Sequence, residues 1–137
     1  PGGEVVGLEL QLGMIERLQR RAAEAGITNL DVIHGDATAP GIPLDRFDLV
    51  YLSAVLGEIP DREQALRNAY LALKPGGTLA ITEILPDPHY QSQQTVRRLA
   101  QVAGFTPRDV HGTWRRYTAN FVKPEQTSPL TQGSYDE

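Results

Sequence analysis

Apolar runs of strand length alternate along this chain with stretches of helical periodicity, and that alternation limits the fold more than any single motif does. EVVGLE at 4–9 reads as a buried strand, because its apolar residues run on rather than alternate with polar ones. GMIERLQRRAAEA at 13–25 reads as a helix with Met14, Ile15, Leu18 and Ala22 on one face, stopped by Gly26. LDVIH (30–34) and FDLVYL (47–52) are the next strands, joined by the Pro- and Gly-rich loop DATAPGIPLD, which is long enough to skirt a site. IPDREQALRNAYLAL opens a second helix with Asp61 as N-cap and Gln64 at capping-box spacing, and KPGG closes it as a turn before the strand TLAITEI. QSQQTVRRLAQVAG is a third amphipathic helix, ended by Gly104. FTPRDVHG and TWRRYTANFV, with only a turn at Gly112 between them, predict an antiparallel hairpin. The polar, nonperiodic segment 124–137 is expected to be disordered, which leaves 1–123 as the domain.

Strand and helix in alternation predict an α/β fold with a mostly parallel sheet, helices on both faces and an antiparallel hairpin at one edge. With 137 residues, a second domain is not expected. A net charge of -4 gives no overall attraction to nucleic acid, and the pairs Arg20-Arg21, Arg97-Arg98 and Arg115-Arg116 read as solvated faces. The chain has no Cys, so it offers no disulfide, thiolate metal site or cysteine nucleophile, which suits a reducing cytoplasm. No apolar stretch approaches the roughly 20 residues of a membrane span, and no signal peptide is visible. The chain begins on Pro1 rather than Met, so truncation or processing is expected.

A sheet of this kind binds ligands outside the carboxyl ends of its strands, which draws attention to Glu9, the acid that closes the first apolar run. In mononucleotide-binding folds an acid at the end of the second strand accepts hydrogen bonds from ribose hydroxyls, about 20 residues beyond a glycine-rich turn. Counting back from Glu9 runs off the start of the chain, so that turn is absent. Gly76 and Gly77 do not replace it: they follow a helix and precede a strand, the reverse of a phosphate-cradling loop.

The stretch from Gly3 to Pro124, with its acid-terminated strand at Glu9, HGDAT, FDLVYLS and LKPGGTLAITE in that order, resembles the class I S-adenosylmethionine-dependent methyltransferases, closest to the ubiquinone and menaquinone C-methyltransferase branch. The resemblance implies a Rossmann-like sheet whose first strand and glycine turn are missing, with the lost strand falling between those ending at Glu9 and Ser53. It implies S-adenosylmethionine as cofactor, with Glu9 on the ribose hydroxyls, Leu10 against the adenine face, Asp36 accepting from the adenine amino group and Ala37 offering its N–H to the ring. Ser53 would line the methionine side. Glu83 and Tyr90, at the carboxyl end of TLAITEI and in the DPHY segment after it, would contact a small-molecule substrate, and His89 could act as a general base there, its ordinary pKa of about 6.5 being convenient.

Each assignment has a structural rival. A strand-end acid can be a solvated loop residue, Asp36 can serve an Asx turn, and His89 can be a surface residue. His34 reads as strand-end packing, His111 as hairpin surface, and Trp114, Tyr117 and Phe121 as core or edge packing. The three His residues lack the spacing of a metal site. Three readings stand: a methyltransferase whose glycine turn lies outside the chain or comes from a partner; a noncatalytic relative acting as a binding or assembly subunit; and a nicotinamide-dependent enzyme, against which GDAT and LKPGGTLAITE argue. No nucleic-acid or membrane partner is expected. Loss of a central strand would leave two open edges, so the isolated chain is expected to bind cofactor weakly and to associate as a homodimer.

Overall fold

The computed structural model describes residue 3 and residues 5–9 and 12–125. The expected disordered tail falls, from residue 126 onward, outside the described residues, as does Leu10. The chain divides into two compact units, Pro1–Ala39 and Pro40–Glu137.

In the first unit, β1 (Val5–Glu9) and β2 (Leu30–His34) pair in parallel, in register from Val5 opposite Leu30 to Glu9 opposite His34. The helix α1 (Leu12–Glu24) connects them and buries Ile15 and Ala22, whereas Met14 and Leu18, expected on the same face, stay 41% and 39% exposed. Its stop is the one expected: Gly26 takes φ 72°, its N–H donates to Ala23 O, and Ile27 N–H reaches back to Ala22 O at 2.9 Å, the paired bonds of a Schellman motif.

The second unit is a four-stranded sheet in the order β3-β4-β6-β5, built from β3 (Phe47–Ser53), β4 (Leu73–Ile84), β5 (Thr106–Gly112) and β6 (Arg116–Val122). β3 and β4 are parallel, and the hairpin β5–β6 joins antiparallel to β4 through β6. The helices α2 (Arg62–Ala72) and α3 (Gln93–Ala103) supply Leu66, Val96 and Ala100 to a core that also takes Leu79 and Ile81 of β4 and Tyr117, Ala119 and Phe121 of β6. Those strand residues are spaced by two, so within this unit both helices cover the same face. No helix among the described residues is long and apolar enough to cross a membrane.

The helix ends obey local rules. Asp61 Oδ1 accepts from Gln64 N–H at 3.1 Å as expected, but the Gln64 amide turns to Asn68 instead of closing the box. Ser92 caps α3 by accepting from Thr95 N–H at 3.2 Å. KPGG departs from its reading as a simple turn. α2 stops at Ala72, the chain is already extended at Leu73, and Lys74–Gly77 bulge out between the pairs Phe47–Leu73 and Leu49–Thr78. The cause is not local: Gly76 N–H donates to Lys123 O and Lys123 N–H to Gly77 O, so the end of β6 holds the bulge. Lys123 itself is only 8% exposed, donating to Leu73 O at 2.7 Å and Asp45 Oδ1 at 3.2 Å.

Tyr117 and Phe121 pack in the core as expected, while Trp114 does not: it stands at the tip of the hairpin, 63% exposed, beneath the Arg115 guanidinium at 5.2 Å. His111 lies on the hairpin surface as expected. β5 is exposed along its whole length and carries Pro107, Arg108 and Asp109, residues that blunt an open sheet edge.

Gly104 ends α3 at φ 111°, and a Cβ there would sit 2.9 Å from the Tyr70 ring, which itself packs edge-on against Phe105. Gly104→Ala is therefore expected to lower stability by about 1–2 kcal/mol from the left-handed backbone alone, and by more if Tyr70 shifts, as read by urea denaturation.

Candidate active site

The first unit brings Glu9 and the HGDAT segment to one end of its strand pair. Glu9 closes β1 opposite His34, the last residue of β2, and Asp36 follows two residues later. The expectations for the Glu9 and His34 side chains, like that for Leu10, lie outside what the structure describes. Asp36 is exposed, and its Oδ1 accepts both the Thr38 N–H at 2.9 Å and the Thr38 hydroxyl at 2.8 Å, while Ala39 N–H donates to Asp36 O. This is an Asx turn, and the two bonds from Thr38 hold the carboxyl below its ordinary value. The turn sets the direction of an ionised carboxylate; Ala37 lies within it. An acid-terminated strand beside an oriented, exposed carboxylate is an acceptor set suited to hydroxyls and an amino group, such as those of an adenosine.

In the second unit, Ser53 ends β3 opposite Thr82 and is exposed. The chain then bends sharply: Ala54 adopts φ 55°, a left-handed conformation costly for a residue with a Cβ, and its N–H donates to Thr82 O at 2.8 Å. The short 3-10 turn Leu56–Glu58 follows, gripped by Arg62, whose Nε and Nη2 donate to Leu56 O and Gly57 O. Behind Ser53, three hydroxyls run across the sheet: Tyr51 to Thr82 at 3.0 Å and Thr82 to Thr118 at 2.7 Å. The bonds from Thr82 and Ser53 draw the Tyr51 phenol below its ordinary range.

Beyond β4 the chain forms a loop, 85–91, that folds back over the strand end. Glu83, expected to touch substrate, is 2% exposed, and its Oε1 accepts the Gln91 N–H at 2.9 Å. Its Oε2 is buried without a hydrogen-bond partner among the described residues, and burial pushes the carboxyl above its ordinary value. Tyr117, directly across the sheet from Glu83, donates its hydroxyl to Gln91 O. Tyr90 is half-buried with its ring edge-on to Tyr117 at 6.1 Å, and its hydroxyl donates to Trp114 O. The His89 imidazole is exposed, while its backbone is tied down: N–H to Asp87 Oδ1 at 2.8 Å, and C=O to the Gln91 amide at 3.0 Å. The same carbonyl lies so close to Gly57 that a Cβ there would fall 1.8 Å from it. The turn after β3 and the loop after β4 are thus packed backbone to backbone.

The structure therefore collects Ser53, Glu83, His89 and Tyr90 at the carboxyl ends of β3 and β4. Sequence reasoning missed Gly57, Arg62, Gln91 and the polar role of Tyr117. Tyr117 carried a signal, since a buried Tyr needs a partner for its hydroxyl, but the other three depend on contacts between distant segments. Among the described residues no cluster of three His, Asp or Glu side chains is arranged to hold a metal.

Comparison with known proteins places this geometry. Residues 1–81 match the family described as a methyltransferase domain. Demethylmenaquinone methyltransferase of Listeria monocytogenes serotype 4a is 39% identical over 80 residues, covering 58% of this chain, and that of Geobacillus sp. is 32% identical over 83 residues, covering 61%. The chain spans only about a third of those relatives, 34% and 36% of their lengths. Among solved structures, a SAM-dependent methyltransferase from Aquifex aeolicus is similar at TM-score 0.80 and 17% identity over 88% of this chain and 69% of that one. The [4+2]-cyclase SpnF is similar at TM-score 0.78 and 16% identity, over 90% and 68%. With a family match over more than half its length and a Rossmann-like fold shared with solved S-adenosylmethionine-dependent methyltransferases, the chain belongs to the methyltransferase-domain family, of the class I S-adenosylmethionine-dependent type.

Proposed function

We propose that this chain takes part in S-adenosylmethionine-dependent methyl transfer to a small-molecule acceptor, through O, N or C, with a quinone-type acceptor favoured by the names of the relatives. The observation that carries the reading is the placing of Glu9 and Asp36 at the carboxyl ends of two paired parallel strands inside the matched region. Glu9 takes the ribose hydroxyls and Leu10 the adenine face, while Asp36 accepts from the adenine amino group beside the Ala37 backbone. Ser53 serves the methionine side. Bound S-adenosylmethionine supplies an activated methyl on a sulfonium, so the protein's part is to position the acceptor and exclude water. Tyr90 offers a ring edge and face to the acceptor, Glu83 acts on the same end through the loop it holds, and His89 is placed to take a proton from the acceptor.

A second reading, in which the fold serves another reaction, is favoured by the likeness to a [4+2]-cyclase, because one fold hosts many chemistries. Cofactor affinity separates a cofactor-free role from the first reading. Glu9→Ala is expected to weaken S-adenosylmethionine binding by about 1.5–3 kcal/mol, the range for hydrogen bonds to a charged group. Unchanged affinity by calorimetry would remove Glu9 from the ribose.

For His89 as base, His89→Asn is expected to lower turnover at saturating cofactor by about a hundredfold with cofactor affinity intact. A fully active variant makes His89 a surface residue. Among the described residues the strand paired with β3 is β4, and an edge strand of this kind supports association with a second copy. Light scattering is expected to return the mass of a homodimer; the mass of a single chain rejects that part of the proposal.

A further inference from the structure

An acid at the eleventh residue of a twelve-residue strand, on the face that packs the core, is costly unless it has a task. The neighbours of Glu83 on that face are Leu79 and Ile81 of its own strand and Tyr117 and Ala119 across from it, all core residues. An apolar side chain would fit this surrounding without leaving an oxygen unpartnered. Among the described residues the Glu83 carboxyl has one hydrogen-bond partner, the backbone N–H of Gln91, and Tyr117 holds the other backbone group of the same residue. Two adjacent strands thus grip one residue by both its backbone groups, N–H by the acid and C=O by the phenol.

We infer that Glu83 and Tyr117 are positioning residues that clamp Gln91 and thereby hold the loop 85–91, with His89 and Tyr90 on it, at the carboxyl end of β4. The clamp does not act alone. Tyr90 stacks edge-on against Tyr117 and is anchored to Trp114 O, and the His89 carbonyl rests on Gly57, which leaves the His89 backbone little freedom once Gln91 is fixed. Releasing Gln91 frees the loop from β4 and β6 together.

The charged and titratable groups facing Glu83 are Arg62 from α2, Asp87 from the loop and Tyr117 from β6. Burial raises the Glu83 carboxyl above its ordinary value; against it, the bond from Gln91 N–H and the Arg62 guanidinium, itself committed to Leu56 O and Gly57 O, favour ionisation, Asp87 opposes ionisation, and burial outweighs the rest. Its folded value lies above the ordinary 4.5, so the folded state holds a proton that the unfolded chain has released. The associated stability is complete below the ordinary value and is lost as pH rises through the raised one. Opening the loop relieves the burial and breaks the Gln91 bond; burial is the larger of the two, so the loop is held most firmly at the acidic side of that window.

The loop's service to an acceptor rests on the methyltransferase reading; the clamp itself does not, and the experiment keeps them apart. Amide hydrogen exchange of residues 85–91 is measured from pH 4.5 to about pH 8, normalised at each pH to the unstructured rate. The chain is compared with Glu83→Gln, Glu83→Leu and Tyr117→Phe, with the β4 amides reporting global folding. Glu83→Gln keeps an acceptor for Gln91 N–H and cannot ionise. The expected result is a Gln91 protection that falls with rising pH in the parent chain and is flat in Glu83→Gln, with loss of about tenfold in Glu83→Leu and Tyr117→Phe. Parallel pH profiles for the parent and Glu83→Gln, or full protection of Gln91 in Tyr117→Phe, would overturn the clamp even if Glu83→Leu fails to fold. Calorimetry with S-adenosylmethionine on the parent chain and Glu9→Ala supplies the other arm. An affinity left unchanged by Glu9→Ala counts against the methyltransferase reading while the exchange data still decide the clamp.

Discussion

The second unit depends on one constraint: β4 is buried on both faces, so every polar group on it must find a partner inside the protein. Leu79, Ala80, Ile81, Thr82 and Glu83 form an unbroken buried run. Leu79 and Ile81 join the core that the helices cover, and the polar members dictate what surrounds them. Thr82 draws Tyr51 and Thr118 into a line of hydroxyls, and its carbonyl takes the Ala54 N–H, which fixes the bend after β3. Glu83 draws the loop back onto the strand end. The two segments that leave the carboxyl ends of β3 and β4 are thereby set by the needs of a single strand, and Gly57 lets them touch.

The first unit solves a different problem with local means. Asp36 is oriented by Thr38, two residues away, so its carboxylate is aimed and kept ionised without any contact from a distant segment. A structural turn and a ligand-binding carboxylate need the same thing here, a fixed direction and a charge, so the Asx turn does not compete with a role toward an adenosine.

How much could be read from the residues follows the range of the forces involved. Gly26, Gly104, Asp61 and Ser92 act within five residues of themselves, and the helix ends they set agree with the sequence expectation or lie within two residues of it. The order of strands and the place of Glu9 and Asp36 were legible because the alternation repeats and the motifs fall in a familiar sequence. KPGG was misread because Lys123 holds it across the sheet, and nothing local marks Lys123, the last residue of the expected domain, as an ammonium buried on Leu73 O. Trp114 was misplaced because strand periodicity does not say which residue falls on the turn. Glu83 was assigned to the right end of the right strand, but whether a strand-end acid faces a ligand or a returning loop is decided by tertiary packing alone.

The position of Trp114 also determines what light the protein emits. It is the chain's single tryptophan, it is mostly in water, and its carbonyl carries the Tyr90 hydroxyl. An indole so placed fluoresces in the folded protein much as it does in an unfolded one, so its emission is nearly blind to loss of the core. What it does sense is its own neighbourhood, the Arg115 guanidinium above the ring and the loop tethered below it. The hairpin tip is in effect a built-in optical reporter on the loop after β4, silent about folding and responsive to whatever settles beside Tyr90.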